Sequence, residues 1–139
     1  MKEENVVETK YYLSTQYLQT LVNHKARHEN KGNGFGYEII KDNQTANAVV
    51  CGGMGRERNL VLDHRITDFT PTTKIKGEVN REGIRKMTPR EWARLQGFPD
   101  NYIIPVADAS AYKQFGNSVA VPAIQATANE IIKLMLKTK

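Results

Sequence analysis

The chain has 139 residues, of which 40% are hydrophobic and 25% are charged. This predicts a folded chain with one modest core, or two lobes that each rest on another surface, and excludes wholesale disorder. Twenty Lys and Arg residues against 15 Asp and Glu residues give a net charge of +5, which is compatible with nucleic-acid binding. No uninterrupted apolar run approaches the roughly 20 residues that cross a bilayer, and the single cysteine excludes an internal disulfide. We therefore expect a cytoplasmic protein without membrane contact.

The first third of the chain contains one clear helix signal. Residues 1–10 are mostly polar and are predicted to form a mobile lead-in. Ser14 is predicted to cap a helix that runs to about Asn30, with Gly32 as its stop signal. The apolar positions that recur at helical spacing are Leu18, Leu21 and Val22.

The other side of this helix is basic. Lys25, Arg27 and His28 face either solvent or a phosphate, and the sequence leaves both interpretations open. His24 and His28 are one turn apart, as metal ligands on a helix are, but no third ligand lies near them in the sequence. We predict no metal site.

The region from residue 31 to residue 58 is rich in glycine. Glycines on either side of β-branched or aromatic runs predict short strands at Tyr37–Ile40, Ala48–Cys51 and Leu60–Leu62. These glycines serve turn geometry alone, or they let the backbone approach a phosphate or a base edge beside Arg56 and Arg58. Residues 66–84, with two further glycines, are predicted to form an extended linker.

A short helix follows, and its sequence signals agree with one another. In MTPREWARLQGF, Thr88 is predicted as the N-cap, Pro89 as the first helical residue, and Glu91 as the residue that completes a capping box. Gly97 ends the helix after about two turns. Because so short a helix is marginal alone, we expect Trp92 to hold it by packing into a core.

The last apolar helix follows the segment QFGNSVAVPAI. Ser118 is predicted to cap this helix, and Gly116 and Asn117 are predicted to form the turn that orients it. A Gly-Asn-Ser turn at a helix N-terminus also offers N–H groups and polar side chains to a ligand. The apolar stripe of the helix consists of Val121, Ile124, Ala128, Ile131 and Met135.

Groups suited to catalysis are scarce in this sequence. Cys51 is the only thiol, and a small buried residue at a strand end is the better interpretation than a nucleophile, because no activating partner is fixed in sequence. No glycine-rich loop follows a strand and opens a helix, so no complete dinucleotide-binding fold is predicted. We predict no catalytic residue in this chain and interpret it as a DNA-facing module with half of a ligand site.

Two segments carry a family resemblance. RKMTPREWARLQGFPD, residues 85–100, resembles the ninth conserved motif (motif IX) of the DNA cytosine-5 methyltransferases, and AYKQFGNSVAVPAI, residues 111–124, resembles the tenth (motif X). Their order and spacing resemble the C-terminal third of such enzymes, where a variable target-recognition region precedes both motifs. The resemblance implies a recognition region at 11–84, and motif X with a C-terminal helix at 101–139.

The resemblance implies an α+β fold. A small, loop-rich recognition lobe with short strands would be followed by a motif IX helix and a motif X helix that docks on a Rossmann-like methyltransferase domain. In this family motif X lines the S-adenosylmethionine pocket, and the matching residues here are Asn117, Ser118 and Val119. The motif IX helix braces the recognition region without doing chemistry, a role that falls on Thr88, Pro89, Arg90, Glu91, Arg94, Leu95 and Gly97.

Double-stranded DNA is the partner that the resemblance implies. For contact with DNA we select Lys31, Arg56 and Arg58, with arginine pairing to guanine as the natural mode. The candidates for base reading are Asn33, Phe35 and Gly53–Gly55. The segment KGNGFGY also resembles recognition regions of methylases that act on CCWGG-type sites.

Several family motifs are absent from this sequence. It has no Phe-x-Gly-x-Gly cofactor loop, no Pro-Cys nucleophile, and neither the Glu-Asn-Val nor the Gln-x-Arg-x-Arg motif that holds the flipped base. We therefore expect the small subunit of a split two-chain enzyme of restriction-modification type, inactive alone, whose catalytic partner carries motifs I–VIII. An N-terminal methionine suits a separately translated subunit, and the isolated chain should self-associate through its last helix. A stand-alone DNA-binding module and an inactive C-terminal fragment are the alternatives.

Overall fold

The chain builds a small mixed sheet and surrounds it with helices. The computed structural model describes residues 2–71 and 77–137. Single turns of 3-10 helix lie at Thr9–Tyr11 and Glu57–Asn59. The main elements, in chain order, are α1 (Thr15–Glu29), β1 (Ile39–Ile40), β2 (Leu60–Leu62), β3 (Ile84–Lys86), α2 (Pro89–Leu95), α3 (Asp108–Asn117) and α4 (Val121–Lys137). This is the mixed α+β class predicted from the sequence.

The three strands pair in the order β1-β2-β3. Strand β1 runs parallel to β2, with Ile39 opposite Leu60, and β2 runs antiparallel to β3, with Val61 opposite Arg85. Leu60 and Val61 are completely buried, so the central strand lies inside the core. The strands predicted near Ile39 and at Leu60–Leu62 are therefore confirmed.

One predicted strand is wrong, and one observed strand was not predicted. The segment Ala48–Cys51 is loop, because side chains rather than a neighbouring strand satisfy the backbone just before it. The Asn59 amide donates to the carbonyl oxygen of Asn47 at 3.0 Å, and Asn59 Oδ1 accepts from the Asn47 N–H at 2.8 Å. Strand β3 instead pairs with β2, although its residues were assigned to the end of the linker and the start of motif IX.

The linker predicted at residues 66–84 is packed at its two ends, whereas most of its described middle is exposed. The part at 72–76 lies outside the described residues. Val79 is buried, and Asn80 is only 1% exposed. The Asn80 side chain donates to the carbonyl oxygen of Leu13 at 2.7 Å and accepts from the first N–H of β3 at 2.9 Å. This amide ties the end of the supposed linker into the sheet.

The N-terminal segment, predicted as a mobile lead-in over residues 1–10, makes several contacts with the body where the structure describes it, from residue 2 onward. Val7 is buried in a small apolar cluster. The N–H of Glu3 donates to Oε1 of Glu91 at 3.0 Å, and the Glu3 carboxylate accepts from the Thr88 hydroxyl at 2.9 Å. The polar composition of the segment concealed these contacts because most of them are hydrogen bonds.

Helix α1 begins and ends where the sequence predicted. The Ser14 hydroxyl oxygen accepts from the N–H of Tyr17 at 3.1 Å, and Gly32 adopts a φ of +76° just beyond the helix. Leu18 and Leu21 are buried against the sheet, whereas the predicted apolar position Val22 is 44% exposed.

Helix α2 has the predicted capping box. The Thr88 hydroxyl accepts from the N–H of Glu91, whose carboxylate accepts in return from the N–H of Thr88. Gly97 ends the helix region with a φ of +80°. Trp92 is completely buried, and its ring meets that of Tyr112 edge-on at 4.9 Å. Packing of this ring stabilises a helix that would be too short to persist alone.

The motif X segment is helical where a turn was predicted. Helix α3 continues through Gly116 and Asn117, and Ser118 is its C-terminal cap, with the hydroxyl donating to the carbonyl oxygen of Phe115 at 2.8 Å. Ser118 therefore does not cap α4. Packing of the inner face outweighs the cost of about 1 kcal/mol for glycine in a helix. The buried residues on that face are Ala111, Tyr112 and Phe115.

Helix α4 lies on the outside of the described fold. No residue of this helix is buried, and Ile124 and Ile131 are 55% and 53% exposed. The stretch Asp108–Lys137 reaches a mean hydropathy of 1.2 over 18 residues, so by length and composition alone it is apolar enough to cross a membrane. The stretch contains no long uninterrupted apolar run, so the sequence pattern alone did not indicate it. One such stretch is weak evidence, and here it is divided between α3 and α4 at Ser118.

Candidate functional site

A buried ionic chain joins the motif IX helix to the sheet. Arg85 on β3 is 0% exposed and lies between two carboxylates. Its Nε donates to Asp63 at 2.9 Å, and its terminal nitrogens donate to the two carboxylate oxygens of Glu91 at 2.8 Å each. Helix α2, strand β3 and the segment after β2 are thereby held in one arrangement. Sequence reasoning missed both Asp63 and Arg85.

These contacts lower the pKa of both carboxyl groups. At Asp63 the hydrogen bonds from Arg65 are the largest cause, and Arg85 adds to them, so the pKa lies well below its usual range. At Glu91 burial acts to raise the pKa, but the hydrogen bonds and charge of Arg85 outweigh it and lower the pKa. Both groups are charged at neutral pH, which suits a structural role better than proton transfer.

Three further predicted brace residues lie on α2 itself. The Arg90 guanidinium donates to the carbonyl oxygen of Tyr102 at 2.6 Å, and Arg94 pairs with Asp100 at 2.7 Å. Leu95 packs at the edge of the core cluster around α2 and α3. The two arginines therefore tie α2 to the loop that follows it, in addition to the contacts that α2 makes with the recognition region.

Gln96 connects motif IX directly to motif X. Its carbonyl oxygen accepts from the N–H of Val121 at 2.8 Å. Its side-chain amide donates to the carbonyl oxygens of Phe115 at 3.0 Å and Ser118 at 3.4 Å. The residue thus satisfies carbonyls at the end of α3 and the first N–H of α4. No sequence signal indicates this role, because a glutamine at the end of a helix is usually solvated.

The three predicted cofactor residues lie in a row at the break between α3 and α4. Asn117 is exposed, Val119 is 59% exposed, and Ser118 is half-buried with its hydroxyl proton committed to Phe115. An exposed carboxamide beside an exposed apolar side chain fits a ligand with both polar and apolar groups, as S-adenosylmethionine has. We call this exposed surface the motif X wall (Asn117–Val119).

A loop of the recognition region contacts this wall. We call it the Cys51 loop (residues 49–56). The Cys51 thiol donates to Oδ1 of Asn117 at 3.1 Å, and a Cβ atom built on Gly116 would lie only 2.5 Å from the Cys51 nitrogen. Val49 packs against the core cluster at the other end of the loop. Cys51 is therefore exposed in a loop, and not buried at a strand end as predicted.

The two arginines selected for DNA contact flank a buried glutamate in the sequence and contact different aromatic rings. Glu57, between them, is 5% exposed and pairs with Lys86 at 3.0 Å. The Arg56 guanidinium lies over the ring of Tyr112 at 5.3 Å, on the side of α3. Tyr112 was not predicted as a site residue.

Arg58 belongs to a second group on the other side. Its guanidinium lies 5.6 Å from the ring centre of Phe35, which is 48% exposed and also meets the ring of His28 at 5.8 Å. Asn33 lines the same shallow groove as Phe35, and Lys31 is exposed in the turn just before it. The structure thus brings together Asn33, Phe35 and Arg58, here called the Phe35 patch, and leaves Arg56 with the Cys51 loop.

The histidine pair does not extend into a larger cluster. The rings of His24 and His28 are 4.4 Å apart between centres. Among the described residues, no group of three or more His, Cys, Asp or Glu side chains is placed to hold a metal ion.

The fold is a small α+β unit in which the predicted motif X residues Asn117–Val119 adjoin a loop of the glycine-rich region that carries Arg56. The family model of the C-5 cytosine-specific DNA methylases matches residues 1–133. The chain therefore belongs to the C-5 cytosine-specific DNA methylase family.

Two curated relatives are informative. Over 133 residues the chain is 80% identical to the type II methyltransferase M.HpaII of Haemophilus parainfluenzae, a match that covers 96% of this chain and 37% of that protein. Over 136 residues it is 39% identical to the type II methyltransferase M1.ScrFI of Lactococcus lactis subsp. cremoris, covering 98% of this chain and 31% of that protein. The chain thus spans about a third of the length of these relatives.

Solved structures show the same fold at low sequence identity. The Dnmt2 methyltransferase of S. pombe superposes with a TM-score of 0.65 at 17% identity, covering 96% of this chain and 41% of that one. The Entamoeba histolytica methyltransferase EhMeth gives a TM-score of 0.52 at 20% identity, covering 84% and 34%. At these identities the likeness concerns the fold alone.

Proposed function

We propose that this chain is the part of a DNA (cytosine-5-)-methyltransferase that recognises DNA and completes the cofactor pocket. It acts in a cytoplasmic restriction-modification system, together with a catalytic partner chain that carries motifs I–VIII. The observation that carries the proposal is the contact between the motif X wall and the Cys51 loop, which joins a ligand surface to a basic recognition region in one packed unit. S-adenosylmethionine supplies the methyl group when it is bound.

The contribution of this chain to the pocket is to bind and orient. Asn117 offers a polar carboxamide, Val119 offers apolar contact, and the Ser118 oxygen retains its capacity to accept a hydrogen bond. The Pro-Cys nucleophile is absent from this sequence, so the bond-making groups belong to the partner. We accordingly propose that the chain is inactive alone.

The contribution to DNA binding comes from two surfaces. On the Phe35 patch, Arg58 and Asn33 flank an exposed aromatic ring, and the glycines of that turn allow close approach of the backbone. On the Cys51 loop, Arg56 and Gly53–Gly55 lie beside the motif X wall, where a base presented for reaction would be read. Lys31 adds positive charge for the phosphate backbone.

Helix α4 is the surface on which the partner docks. Full burial of an exposed isoleucine is worth about 1.5–3 kcal/mol, and Ile124 and Ile131, each slightly more than half exposed, would contribute about half of this when covered. Burial of this stripe by the catalytic domain would bring the motif X wall, which a single residue separates from α4, to the edge of that domain.

The deciding experiment is reconstitution. This chain is co-expressed with the part of M.HpaII that it does not match, and methyl transfer from labelled S-adenosylmethionine to plasmid DNA is measured. We expect activity from the pair and none from either part alone. Equal activity from the catalytic part alone, or transfer by this chain alone with Cys51 joined to the base, would refute the proposal.

Mapping the methylated cytosines in the same plasmid then identifies the target. Methylation confined to CCWGG sites would support the specificity that the KGNGFGY segment predicts, and any other site would replace it. Sequence-selective binding by this chain that no catalytic part alters would instead favour a stand-alone DNA-binding module.

A further inference from the structure

Of the two ends of the Asn117 carboxamide, only the oxygen makes a hydrogen bond among the described residues. Its Oδ1 accepts from the Cys51 thiol at 3.1 Å. A carboxamide has one oxygen acceptor and two N–H donors, and within residues 2–71 and 77–137 the structure records no hydrogen bond from Nδ2 of Asn117. The thiol therefore engages the acceptor end of the amide and leaves both donors for a ligand.

A glycine on each of the two segments allows the contact between Cys51 and Asn117. A Cβ atom on Gly116 would lie 2.5 Å from the nitrogen and 2.8 Å from the Cα atom of Cys51, so only glycine allows the loop to approach α3 this closely. On the loop itself, a Cβ atom on Gly55 would collide with the carbonyl group of Val50. Two glycines thus allow one thiol to reach one amide.

The same loop carries a proposed DNA contact. Arg56, at its C-terminal end, lies over the Tyr112 ring, slightly more than one helical turn before Gly116 on α3. A displacement of the loop by DNA would therefore act on α3 both at Tyr112 and at the Cys51–Asn117 hydrogen bond.

We propose that Cys51 is a positioning residue for Asn117, and that the Cys51 loop couples DNA recognition to cofactor binding through this hydrogen bond. The proposal rests on the proposed function, because it takes Asn117 to face the cofactor. Cys51 itself does no chemistry. Its role is to hold the amide with its N–H donors toward the cofactor, and contact of DNA with Arg56 shifts the loop and thereby changes this hydrogen bond.

The first test uses the isolated chain. Because the sequence contains a single cysteine, the rate of alkylation by a maleimide reports on Cys51 alone. We expect Asn117→Ala to change this rate, and Asn117→Asp to slow it, since a carboxylate beside the sulfur disfavours the reactive thiolate. Asn129→Ala, which removes another exposed amide from α4, is the control and should leave the rate unchanged. Equal rates in all four proteins would overturn the contact and with it the proposal.

The second test uses the reconstituted pair and measures binding of S-adenosylmethionine by calorimetry, with and without a duplex. Loss of one net hydrogen bond in Cys51→Ala should weaken cofactor binding about three- to tenfold, and Cys51→Ser, which restores an O–H donor, should recover it. The enhancement of cofactor affinity by DNA should shrink toward unity in Cys51→Ala.

The outcomes separate the two proposals. If the wild-type pair binds the cofactor and both variants bind equally well, the role of Cys51 is refuted while the proposed function stands. If the wild-type pair binds no cofactor, both the proposed function and this inference are refuted. Equal weakening in Cys51→Ala and Cys51→Ser would indicate loop distortion and would also refute positioning.

Discussion

Arg85 and Glu91 form a two-point ion pair that is completely shielded from solvent. Each terminal nitrogen of Arg85 lies 2.8 Å from a different oxygen of Glu91, and both side chains are 0% exposed. The pair spans the junction between β3 and α2, and Asp63 engages the remaining side of the guanidinium. A well-paired buried charge adds little net stability, but its separation from its partner is costly.

Removal of one partner should therefore destabilise the chain strongly. Glu91→Ala leaves the Arg85 guanidinium buried with a single carboxylate and also deletes the capping box, so the free energy of unfolding should fall by about 3–5 kcal/mol. Urea denaturation followed by circular dichroism measures the change. Glu130→Ala, which breaks the exposed pair with Lys133, is the matched control and should leave the midpoint almost unchanged. Similar shifts in the two variants would contradict the structural role of the buried pair.

The same carboxylates predict acid sensitivity. The pKa values of Asp63 and Glu91 are lower in the folded chain than the usual unfolded values of about 3.9 and 4.3, so in acid the unfolded chain binds more protons. Their stabilisation is complete above those unfolded values and is lost as the pH falls below about 4. The free energy of unfolding should be nearly flat from pH 7 to 5 and should then fall steeply toward pH 3.

Urea titrations at a series of pH values measure this slope. Glu91→Gln, which keeps an oxygen acceptor but removes one charge, should be less stable at pH 7 and should lose less stability on acidification. An acid slope in Glu91→Gln as steep as that of the unsubstituted chain would show that Glu91 does not contribute.

Local signals were sufficient to predict α1 and α2 from the sequence. The capping hydrogen bonds of Ser14, Thr88 and Glu91 lie within a few residues of each cap, so these bonds follow from spacing alone. Contacts between distant segments were not predictable in this way. The Arg85–Asp63 pair joins residues 22 apart, and the Cys51–Asn117 bond joins residues 66 apart.

The motif X segment shows most clearly what local sequence signals cannot predict. Glycine and asparagine at 116 and 117 favoured a turn by propensity, yet the packing of Phe115 and Tyr112 extends α3 through both. The resemblance to the family predicted cofactor-binding residues there, but not that the Cys51 loop presses against Gly116. That contact depends on where the chain folds back, which no local pattern encodes.

Gly97 should tolerate no side chain. Its φ of +80° is unfavourable for other residues, and a Cβ atom there would lie 2.8 Å from Cγ of Pro122 at the start of α4. Gly97→Ala should therefore lower the thermal unfolding midpoint by several degrees and loosen the junction between α2 and α4. Gly52→Ala, at a position with open space and no positive φ, is the control. Equal midpoints for the two variants would contradict the close packing at Pro122.

Helix α4 should drive self-association of the isolated chain. Ile124 and Ile131 lie on one stripe and are more than half exposed, so pairing with another copy removes apolar surface from water. Sedimentation velocity should show concentration-dependent oligomers that the double variant Ile124→Lys, Ile131→Lys abolishes.

Gln125→Lys with Asn129→Lys adds the same charge to positions outside this stripe and should leave association intact. If this control variant also fails to associate, charge repulsion alone is enough to prevent association, and the apolar stripe is not shown to drive it. A strictly monomeric unsubstituted chain would refute the prediction.

Arg56 should contribute to DNA affinity more than its charge alone provides. Its guanidinium is exposed over Tyr112 beside the Cys51 loop, whereas Arg81 lies over Phe69 at 4.0 Å and belongs to neither the Cys51 loop nor the Phe35 patch. Arg56→Ala should weaken binding of the target duplex about tenfold, as expected for loss of one specific arginine contact, while Arg81→Ala should have little effect. Fluorescence anisotropy of a labelled duplex with the reconstituted pair, at one fixed salt concentration, measures both. Equal losses would show that Arg56 contributes only positive charge. The base-reading residues would then be expected in the Phe35 patch.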